Sequence, residues 1–359
     1  MKKAWKWIGI ILAVIVVFLM IYVIYVFAVY HRLPDNLPLE VGKTEGIEEM
    51  VFSEKETYSI MTYNIGFGAY QPDYSFFMDG GKSSWGKDEE SVREAVAGAG
   101  DLVRSLDPDF VMLQEVDRDG TRSYHIDELE VLKDPLKGYY YTYAQNYDSP
   151  FLFYPLLEPH GANKAGIVSL SKMEIAEGLR RSLPISESFS KFVDLDRCYS
   201  ISRIPLENGK IFCLYNIHMS AYGSSDKIRS GQLAMLYEDM EADYKAGNYV
   251  ICGGDFNHNM KIEYRENEPE WAHLFPRDSL PEGFGMAMDV AKETDVAHNT
   301  CRDTSAPYDE KNSYTVTLDG FIISDNVSVR SYRHIDSGYK NSDHDPVFME
   351  FTFENWSAE

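Results

Sequence analysis

The sequence of 359 residues has few cysteines and none in a C-x-x-C pair. This absence argues against a zinc ribbon or a thioredoxin-type redox site. Of its four cysteines, Cys213 and Cys252 lie within apolar, strand-like runs and are predicted to be small buried hydrophobic residues. The even count leaves a disulfide open outside the cytosol.

Positive charge is also scarce, with 34 Lys and Arg against 57 Asp and Glu and a formal net charge of -23. Lys2, Lys3 and Lys6 all precede the long apolar run, so the remainder of the chain is more acidic still. Such a body repels a polyanion at long range. The charge balance therefore disfavours tight, sequence-blind binding to duplex nucleic acid, although a local basic patch stays open.

Residues 7–30 contain no charged side chain, and their length is enough to span a bilayer. A cleaved signal peptide has a shorter apolar core and a small-x-small exit, which Ala28-Val29-Tyr30-His31-Arg32 does not supply. A buried core helix is excluded because the run is too long and is apolar all round. The three preceding lysines predict a single-pass plasma-membrane protein with residues 1–6 in the cytosol and the large domain outside.

Residues 31–56, which hold two prolines and several acids, are predicted to be a linker, and residues 57–359 the folded domain. Strand-like and helix-like patterns alternate along this domain. The loop at 66–90 is long and rich in aromatic residues. Such a loop is either functional or held on the core by its rings.

The predicted strands repeatedly end in polar residues. The stretch Gly253-Gly254-Asp255-Phe256-Asn257 follows a buried strand and carries an acid and an amide two residues apart. Strand ends at one rim of a sheet are where sites of α/β folds form. Carboxylate and amide oxygens suit Mg²⁺ or Mn²⁺, and histidines supply an acid, a base or a donor to a phosphoryl oxygen. The polar residues at strand ends are Asn64, Glu115, His218, Asp255, Asn257, Asp319, Asp343 and His344.

The chain resembles the endonuclease/exonuclease/phosphatase superfamily, which includes DNase I, exonuclease III-type nucleases, neutral sphingomyelinases and inositol polyphosphate 5-phosphatases. The resemblance implies an α/β fold, a four-layer α/β sandwich of two central β-sheets packed face to face with helices outside, here preceded by one transmembrane helix. It also implies a Mg²⁺-dependent phosphoester hydrolase, with Mn²⁺ as an alternative ion. The motifs that carry it are Tyr63-Asn64, Gln114-Glu115-Val116, Asn216-Ile217-His218, Gly254-Asp255-Phe256-Asn257, Leu318-Asp319-Gly320 and Ser342-Asp343-His344-Asp345-Pro346.

The resemblance also implies roles for single residues. Catalytic roles fall on His218, Asp255, Asn257, Asp319 and His344, metal binding on Asn64, Glu115 and Asp343, and substrate binding on Asn64, Asn163 and Asn257. The residues flanking Asp319 depart from the family pattern, which leaves open the histidine that Asp319 orients.

The sequence allows two alternatives to an active hydrolase. A catalytically inactive, membrane-tethered binding module on the same fold is the alternative, and the complete set of site residues argues against it. An HD-type phosphohydrolase, suggested by His344-Asp345, is disfavoured because Pro346 and a strand follow. The substrate is a phosphoester of a nucleic acid, a lipid headgroup or an inositol phosphate, and no protein partner is predicted.

Overall fold

The computed structural model describes residues 2–186, 188, 191, 196–220, 226–261, 269 and 272–353. Residues 354–359, the predicted end of the domain, lie outside the described residues. The helices are α1 (Lys2–Val29), α2 (Glu89–Leu106), α3 (Glu128–Lys133), α4 (Asp226–Lys245) and α5 (Ala287–Val290). The strands are β1 (Leu37–Leu39), β2 (Val41–Lys43), β3 (Tyr58–Asn64), β4 (Phe110–Gly120), β5 (Tyr140–Asp148), β6 (Asn163–Ser171), β7 (Glu177–Ser182), β8 (Cys198–Pro205), β9 (Ile211–His218), β10 (Tyr249–Asp255), β11 (Phe284–Met286), β12 (Glu293–Asp295), β13 (Cys301–Arg302), β14 (Thr315–Val316), β15 (Asp319–Ser324), β16 (Ser328–His334) and β17 (Val347–Thr352).

The strands form two large mixed sheets. The seven-stranded sheet has the order β1-β7-β8-β9-β10-β15-β11, and the eight-stranded sheet has the order β12-β16-β17-β3-β4-β6-β5-β2. The neighbours β9 and β10 are parallel, as are β3 and β4, while most other pairs are antiparallel. Strands β13 and β14 form a separate small ladder. The central strands of both sheets therefore end at a common edge.

Alternation along the strands builds three hydrophobic layers. In β3, Ile60 packs between the two sheets, whereas Met61 packs against α2. In β9, Phe212 packs between the sheets and Cys213 packs on the side of α4. The order helix, sheet, sheet, helix is the predicted four-layer α/β sandwich.

The main helices follow their sequence signals. Helix α2 begins after Asp88, whose side chain accepts a hydrogen bond of 2.7 Å from the backbone N–H of Ser91. It presents Val92, Val96 and Val103 to the eight-stranded sheet. A hairpin with Asn208-Gly209 at its turn joins β8 to β9. The buried cysteines are free thiols, as expected for Cys213 and Cys252.

The prediction that residues 31–56 are only a linker is wrong. Strand β1 pairs with β7, strand β2 pairs with β5, and Phe52 is buried between the sheets. The folded domain thus begins before residue 57. Strands of three residues are too short to show an alternating pattern. The proline in β1 and the glycine in β2 are also typical of turns and loops.

Helix α1 is long and apolar enough to cross a membrane, by its length and composition. Most of its large hydrophobic side chains are exposed, as on a helix that faces lipid. The segment after it is joined to the domain, since His31 Nε2 lies 3.3 Å from Asp148 and Arg32 Nε lies 3.6 Å from Asp196.

Candidate active site

Strand register brings the predicted site residues together. His218 and Asp255 are register partners on the parallel strands β9 and β10, and Asp255 is the partner of Asp319 on β15. Asn64 ends β3 beside Gln114 of β4. Three neighbouring strand ends of one sheet thus face one strand end of the other. The polar residues that the sequence places at strand ends lie close together because their strands are adjacent in the sheets.

The two glycines before Asp255 permit a close approach of backbone at this edge. A Cβ atom on Gly254 would lie 2.0 Å from the carbonyl oxygen of Ile217, and the φ of Gly254 is 143°. A Cβ atom on Gly253 would lie 2.4 Å from the ring of Phe321. Neither space admits a side chain, so glycine is required for β10 to bring Asp255 into register with His218.

Asp255 lies at the centre of the cluster. Its Oδ2 accepts a hydrogen bond of 3.1 Å from Asn64 Nδ2. The same oxygen lies 3.7 Å from Nε2 of His218 and 3.7 Å from Nε2 of His344. Its Oδ1 accepts a hydrogen bond of 2.8 Å from the backbone N–H of Asn257. One carboxylate therefore faces both histidines.

His344 is held from its other side by Asp319. Its Nδ1 lies 2.7 Å from Asp319 Oδ2, and both side chains are buried. Because an ionised carboxylate only accepts, this contact places a proton on Nδ1 and turns Nε2 towards Asp255. Asp319 therefore orients His344.

Glu115 sits at the mouth of the site. The side chain of Glu115 is 23% exposed, against 2% for that of Asp255. A bulge in β4 falls between Leu113 and Val116, and Glu115 itself has a φ of 55°. Left-handed backbone is strained for a glutamate, and such strain concentrates at functional sites. The bulge directs the carboxylate to within 3.3 Å of Asn64 Nδ2 and 3.9 Å of His218 Nε2.

Asp343 and Asn257 complete the rim. Ser342 Oγ donates to the carbonyl oxygen of Asn64 at 2.8 Å, which places the neighbouring Asp343 beside β3. Asn257 also has left-handed backbone, with a φ of 48°, and its Nδ2 donates to Met219 O at 2.8 Å. One carboxamide N–H of Asn257 is thus used within the protein.

Asn163 is the one predicted site residue whose described contacts lie outside the cluster. It is buried, its Oδ1 accepts from the backbone N–H of Arg122 at 3.0 Å, and its Nδ2 donates to His160 O at 3.0 Å. These contacts join the loop after β4 to the loop before β6. They support a role for Asn163 in shaping the wall of the site.

Arg122 is a residue of the site wall that the sequence did not indicate. Its guanidinium makes a bidentate pair with Asp117, at 2.7 and 3.0 Å, and lies 3.8 Å from the centroid of the Phe67 ring. Its positive charge acts on Glu115 and opposes the rise in the pKa of that carboxyl. No periodic pattern marks Arg122, because it follows the end of β4 and comes near the site only through the tertiary fold.

The long loop after β3 supplies the adjoining part of the wall, since its Phe67 ring packs against Arg122. Phe67, Ala69, Tyr70 and Tyr74 form a buried cluster with Phe76 packed on it. The charges of Asp343 and Glu115 both act on the Tyr70 hydroxyl, whose pKa burial and these charges raise well above its usual value. The rings therefore attach the loop to the domain, as the second alternative predicts, and Tyr70 lies close enough to Asp343 and Glu115 to feel their charges.

The two histidines have pKa values displaced in opposite directions. Burial, with the positive charges of Arg197, His344 and Arg122, lowers the pKa of His218 well below its usual value. Burial also acts to lower the pKa of His344, but the carboxylates of Asp319 and Asp255 outweigh it and raise that pKa well above its usual value. His218 is therefore neutral and His344 positively charged near neutral pH.

The site carboxylates fit a divalent cation. Burial raises the pKa of Asp343, and burial together with the charge of Asp343 raises the pKa of Glu115. A cation between such groups relieves their repulsion and desolvation, and the oxygen donors of Asn64, Glu115 and Asp343 suit a hard ion. Three groups of described residues have ligand atoms within 4.8 Å of one another, and Glu115 belongs to none of them: Asp255 with Asp319 and His344, Cys301 with Asp343 and His344, and His298 with Asp336 and Asp345.

Comparison with known proteins agrees with this geometry. The family model of the "Endonuclease/Exonuclease/phosphatase family" matches residues 61–344. No curated protein gives a significant sequence match.

Solved structures share the fold at low sequence identity. A family protein from Bacteroides thetaiotaomicron is 18% identical with a TM-score of 0.57, covering 83% of this chain and 98% of its own. The mannosyl-6-phosphatase of Bacteroides thetaiotaomicron is 18% identical with a TM-score of 0.54, covering 82% of this chain and 100% of its own. TDP2 from C. elegans is 18% identical with a TM-score of 0.50, covering 84% of this chain and 76% of its own. The chain belongs to the endonuclease/exonuclease/phosphatase family, whose members are phosphoester hydrolases.

Proposed function

We propose that the protein is a divalent-metal-dependent phosphoester hydrolase in which water attacks phosphorus, tethered to the outer face of the plasma membrane by α1. One observation carries the proposal. Asp255 Oδ2 lies at 3.7 Å from Nε2 of two histidines that have opposite charge states, and Asp319 fixes the charged one. A carboxylate between a neutral and a charged imidazole separates the roles of base and electrostatic stabiliser.

The residues suggest a division of labour. Asp255 accepts a hydrogen bond from the attacking water and takes its proton as the bond from the water oxygen to phosphorus forms and the bond from phosphorus to the leaving oxygen breaks. The leaving oxygen then takes a proton from solvent. Burial raises the pKa of Asp255, which makes its carboxylate a stronger base than an exposed one. Charged His344 donates its Nε2–H to a phosphoryl oxygen on which negative charge develops. Neutral His218 offers a second hydrogen bond from the same side.

Glu115, Asp343 and Asn64 are the residues that would hold the ion, with Mg²⁺ preferred and Mn²⁺ as the alternative. When bound, the ion neutralises charge on the phosphate and on the leaving oxygen. Glu115 at the exposed mouth suits this role because ion and substrate enter from solvent. Asn257 assists at the phosphate through its remaining carboxamide N–H.

The candidate substrates differ in how well they fit the charge of the domain. The net charge of -23 disfavours a long polyanion. Lipid phosphoesters and inositol phosphates carry less charge, and the similar mannosyl-6-phosphatase adds phosphosugars to the panel.

A substrate panel with metal and active-site controls tests the proposal. The full chain in nanodiscs is assayed with Mg²⁺, Mn²⁺ or a chelator against nucleic acid, phospholipid, inositol phosphate and phosphosugar. We expect metal-dependent turnover that Asp255→Asn abolishes, while Asp325→Asn, in an exposed contact with Tyr244, leaves it unchanged. Binding of a substrate without turnover in the wild type would instead support the inactive binding module.

A further inference from the structure

The loop between β5 and β6 exposes a continuous apolar stretch. We call residues 151–157 the apolar loop; its sequence is Phe-Leu-Phe-Tyr-Pro-Leu-Leu. Leu157 is fully exposed, Leu156 is 84% exposed and Tyr154 is 70% exposed. Single exposed apolar residues are common, but a run of them at a loop tip marks a surface that meets a partner or a membrane.

The apolar loop projects from the same edge as the site. Gly120 at the end of β4 pairs with Asn163 at the start of β6, and β4 runs parallel to β3, which ends at Asn64. The loop that leads into β6 therefore leaves the domain beside the strand ends that hold the site. It is not on the edge where β8 turns into β9.

The apolar loop lies directly against α1. The ring centroid of Phe153 lies 6.2 Å from that of Phe18 and 5.1 Å from that of Tyr22. Tyr22 Oη donates to Phe151 O at 3.1 Å, and the Phe151 N–H donates to Tyr25 Oη at 3.1 Å. The partners of the loop thus belong to the helix that is apolar enough to cross a bilayer.

These contacts place the base of the apolar loop beside the part of α1 that is apolar enough to cross the membrane. Phe18 precedes the end of α1 at Val29 by about 16 Å, at a rise of 1.5 Å per residue. A segment that touches Phe18 lies alongside the membrane-crossing part of α1, where lipid replaces water. Backbone groups in the hydrocarbon region need internal partners. Leu156 and Leu157 have no backbone hydrogen bond to another described residue, so the backbone of the tip belongs at the headgroup level while its leucine side chains reach the acyl boundary. The base of the loop is paired. The tyrosine hydroxyls satisfy Phe151, paired bonds of 3.0 and 3.1 Å join Leu152 to Gly161, and His160 N donates to Tyr154 O at 3.1 Å.

Charge does not explain the position of the loop. The domain is acidic and is repelled by anionic headgroups, so an apolar contact is needed to keep this edge at the surface. The nearest acid, Glu158, is turned back towards the domain, where its Oε2 accepts from Ser84 N at 2.9 Å. The tip itself carries no charge.

We propose that the apolar loop is a second membrane contact, whose tip enters the same bilayer that α1 spans and holds the site edge against the lipid surface. Helix α1 and the contacts of His31 and Arg32 hold the domain near one point of the bilayer. A second insertion point beside it fixes the height and the tilt of the site.

The loop is coupled to the wall of the site by the segment after β3. The Phe77 ring lies 5.8 Å from that of Tyr154, and Trp85 Nε1 donates to Pro159 O at 2.7 Å. The same segment carries Phe67 and Tyr70 to the site. This arrangement favours phosphoesters embedded in the bilayer over freely dissolved ones, an inference that rests on the proposed function.

A probe of depth tests insertion without any assay of activity. The four native cysteines are buried, so Leu156→Cys supplies the accessible thiol for an environment-sensitive fluorophore on the full chain in nanodiscs. Ser105→Cys is the matched control, because Ser105 is exposed at the end of α2 that lies away from the site edge. We expect lipid-borne quenchers to act on the probe at 156 and aqueous iodide to act on the probe at 105.

The opposite patterns overturn the proposal. Equal quenching by iodide at both positions would mean that the tip stays in water. A probe at 156 that neither quencher reaches would mean that protein, such as a second copy of the chain, covers the tip.

Activity then tests the consequence for the site. The double change Leu156→Asp with Leu157→Asp leaves every site residue in place, and we expect it to reduce kcat/KM on a nanodisc-embedded phosphoester about tenfold or more, because two leucines leave lipid. The kcat/KM for a dissolved phosphoester stays unchanged. Equal losses on both substrates would contradict a positioning role. If the wild type hydrolyses neither substrate, the proposed function fails, and the depth measurement alone decides insertion.

Discussion

Asp319 and His344 are joined at 2.7 Å although the sequence separates them by 25 residues, with Asp319 at the start of β15 in one sheet and His344 in the loop before β17 of the other. The contact fixes the ring orientation of the histidine and supports its positive charge. It also explains why an acid is buried at the start of β15, where an unpaired carboxylate is costly.

Replacing Asp319 with Asn keeps the shape of the side chain and removes its charge. We expect kcat to fall by about 10²–10⁴-fold, with KM changed much less, because orientation and charge of His344 matter most in the transition state. Steady-state kinetics on the substrate found in the panel measure the split. The same exchange at Asp325 is the control, and equal changes in kcat and KM for Asp319→Asn would argue against a positioning role.

The metal hypothesis makes a separate prediction for Glu115. In Glu115→Gln the volume is retained and the charge that attracts a divalent cation is lost. We expect weaker Mg²⁺ binding by calorimetry and a large fall in turnover at limiting Mg²⁺, while the melting temperature of the metal-free protein is kept. Glu94→Gln, an exposed change on α2, serves as the control. Unchanged metal affinity would remove Glu115 from the ligand set.

Asp255 and His344 are expected to act in one chemical step. Each single change to Ala should lower turnover by about 10²–10⁴-fold. The double change should cost far less than the product of the two, since groups that serve one step are not independent. A double-mutant cycle on kcat measures the coupling. Strict multiplicativity of the two losses would place the residues in separate steps.

The resemblance to the family predicted the layered fold, and short-range patterns predicted that polar residues stand at the ends of strands. Residues such as Asn64, His218 and Asp255 follow apolar runs that form buried strands, and the strand ends share an edge. The partner of Asp319 depended on a tertiary contact that no local pattern specifies. The edge strands β1 and β2 were missed because three residues cannot display a period.

No local pattern in the sequence indicated Arg122. From its buried ion pair with Asp117 we predict an effect on stability. The buried bidentate pair with Asp117 compensates the charge of each partner. Removing one partner in Asp117→Asn or Arg122→Met leaves the other uncompensated, which costs about 3–5 kcal/mol. Denaturant unfolding of the full chain in detergent measures the loss. Arg93→Met, which removes an exposed ion pair on α2, should cost less than about 1 kcal/mol.

The last prediction concerns the side of the membrane on which the domain lies. Lys2, Lys3 and Lys6 precede the span, while His31 and Arg32 after it are engaged by Asp148 and Asp196. Positive charge flanking a span stays in the cytosol, so the domain is expected outside. An impermeant maleimide applied to intact cells should label Ser105→Cys and not the wild type, whose cysteines are buried. Labelling of Ser105→Cys that requires cell lysis would place the domain in the cytosol.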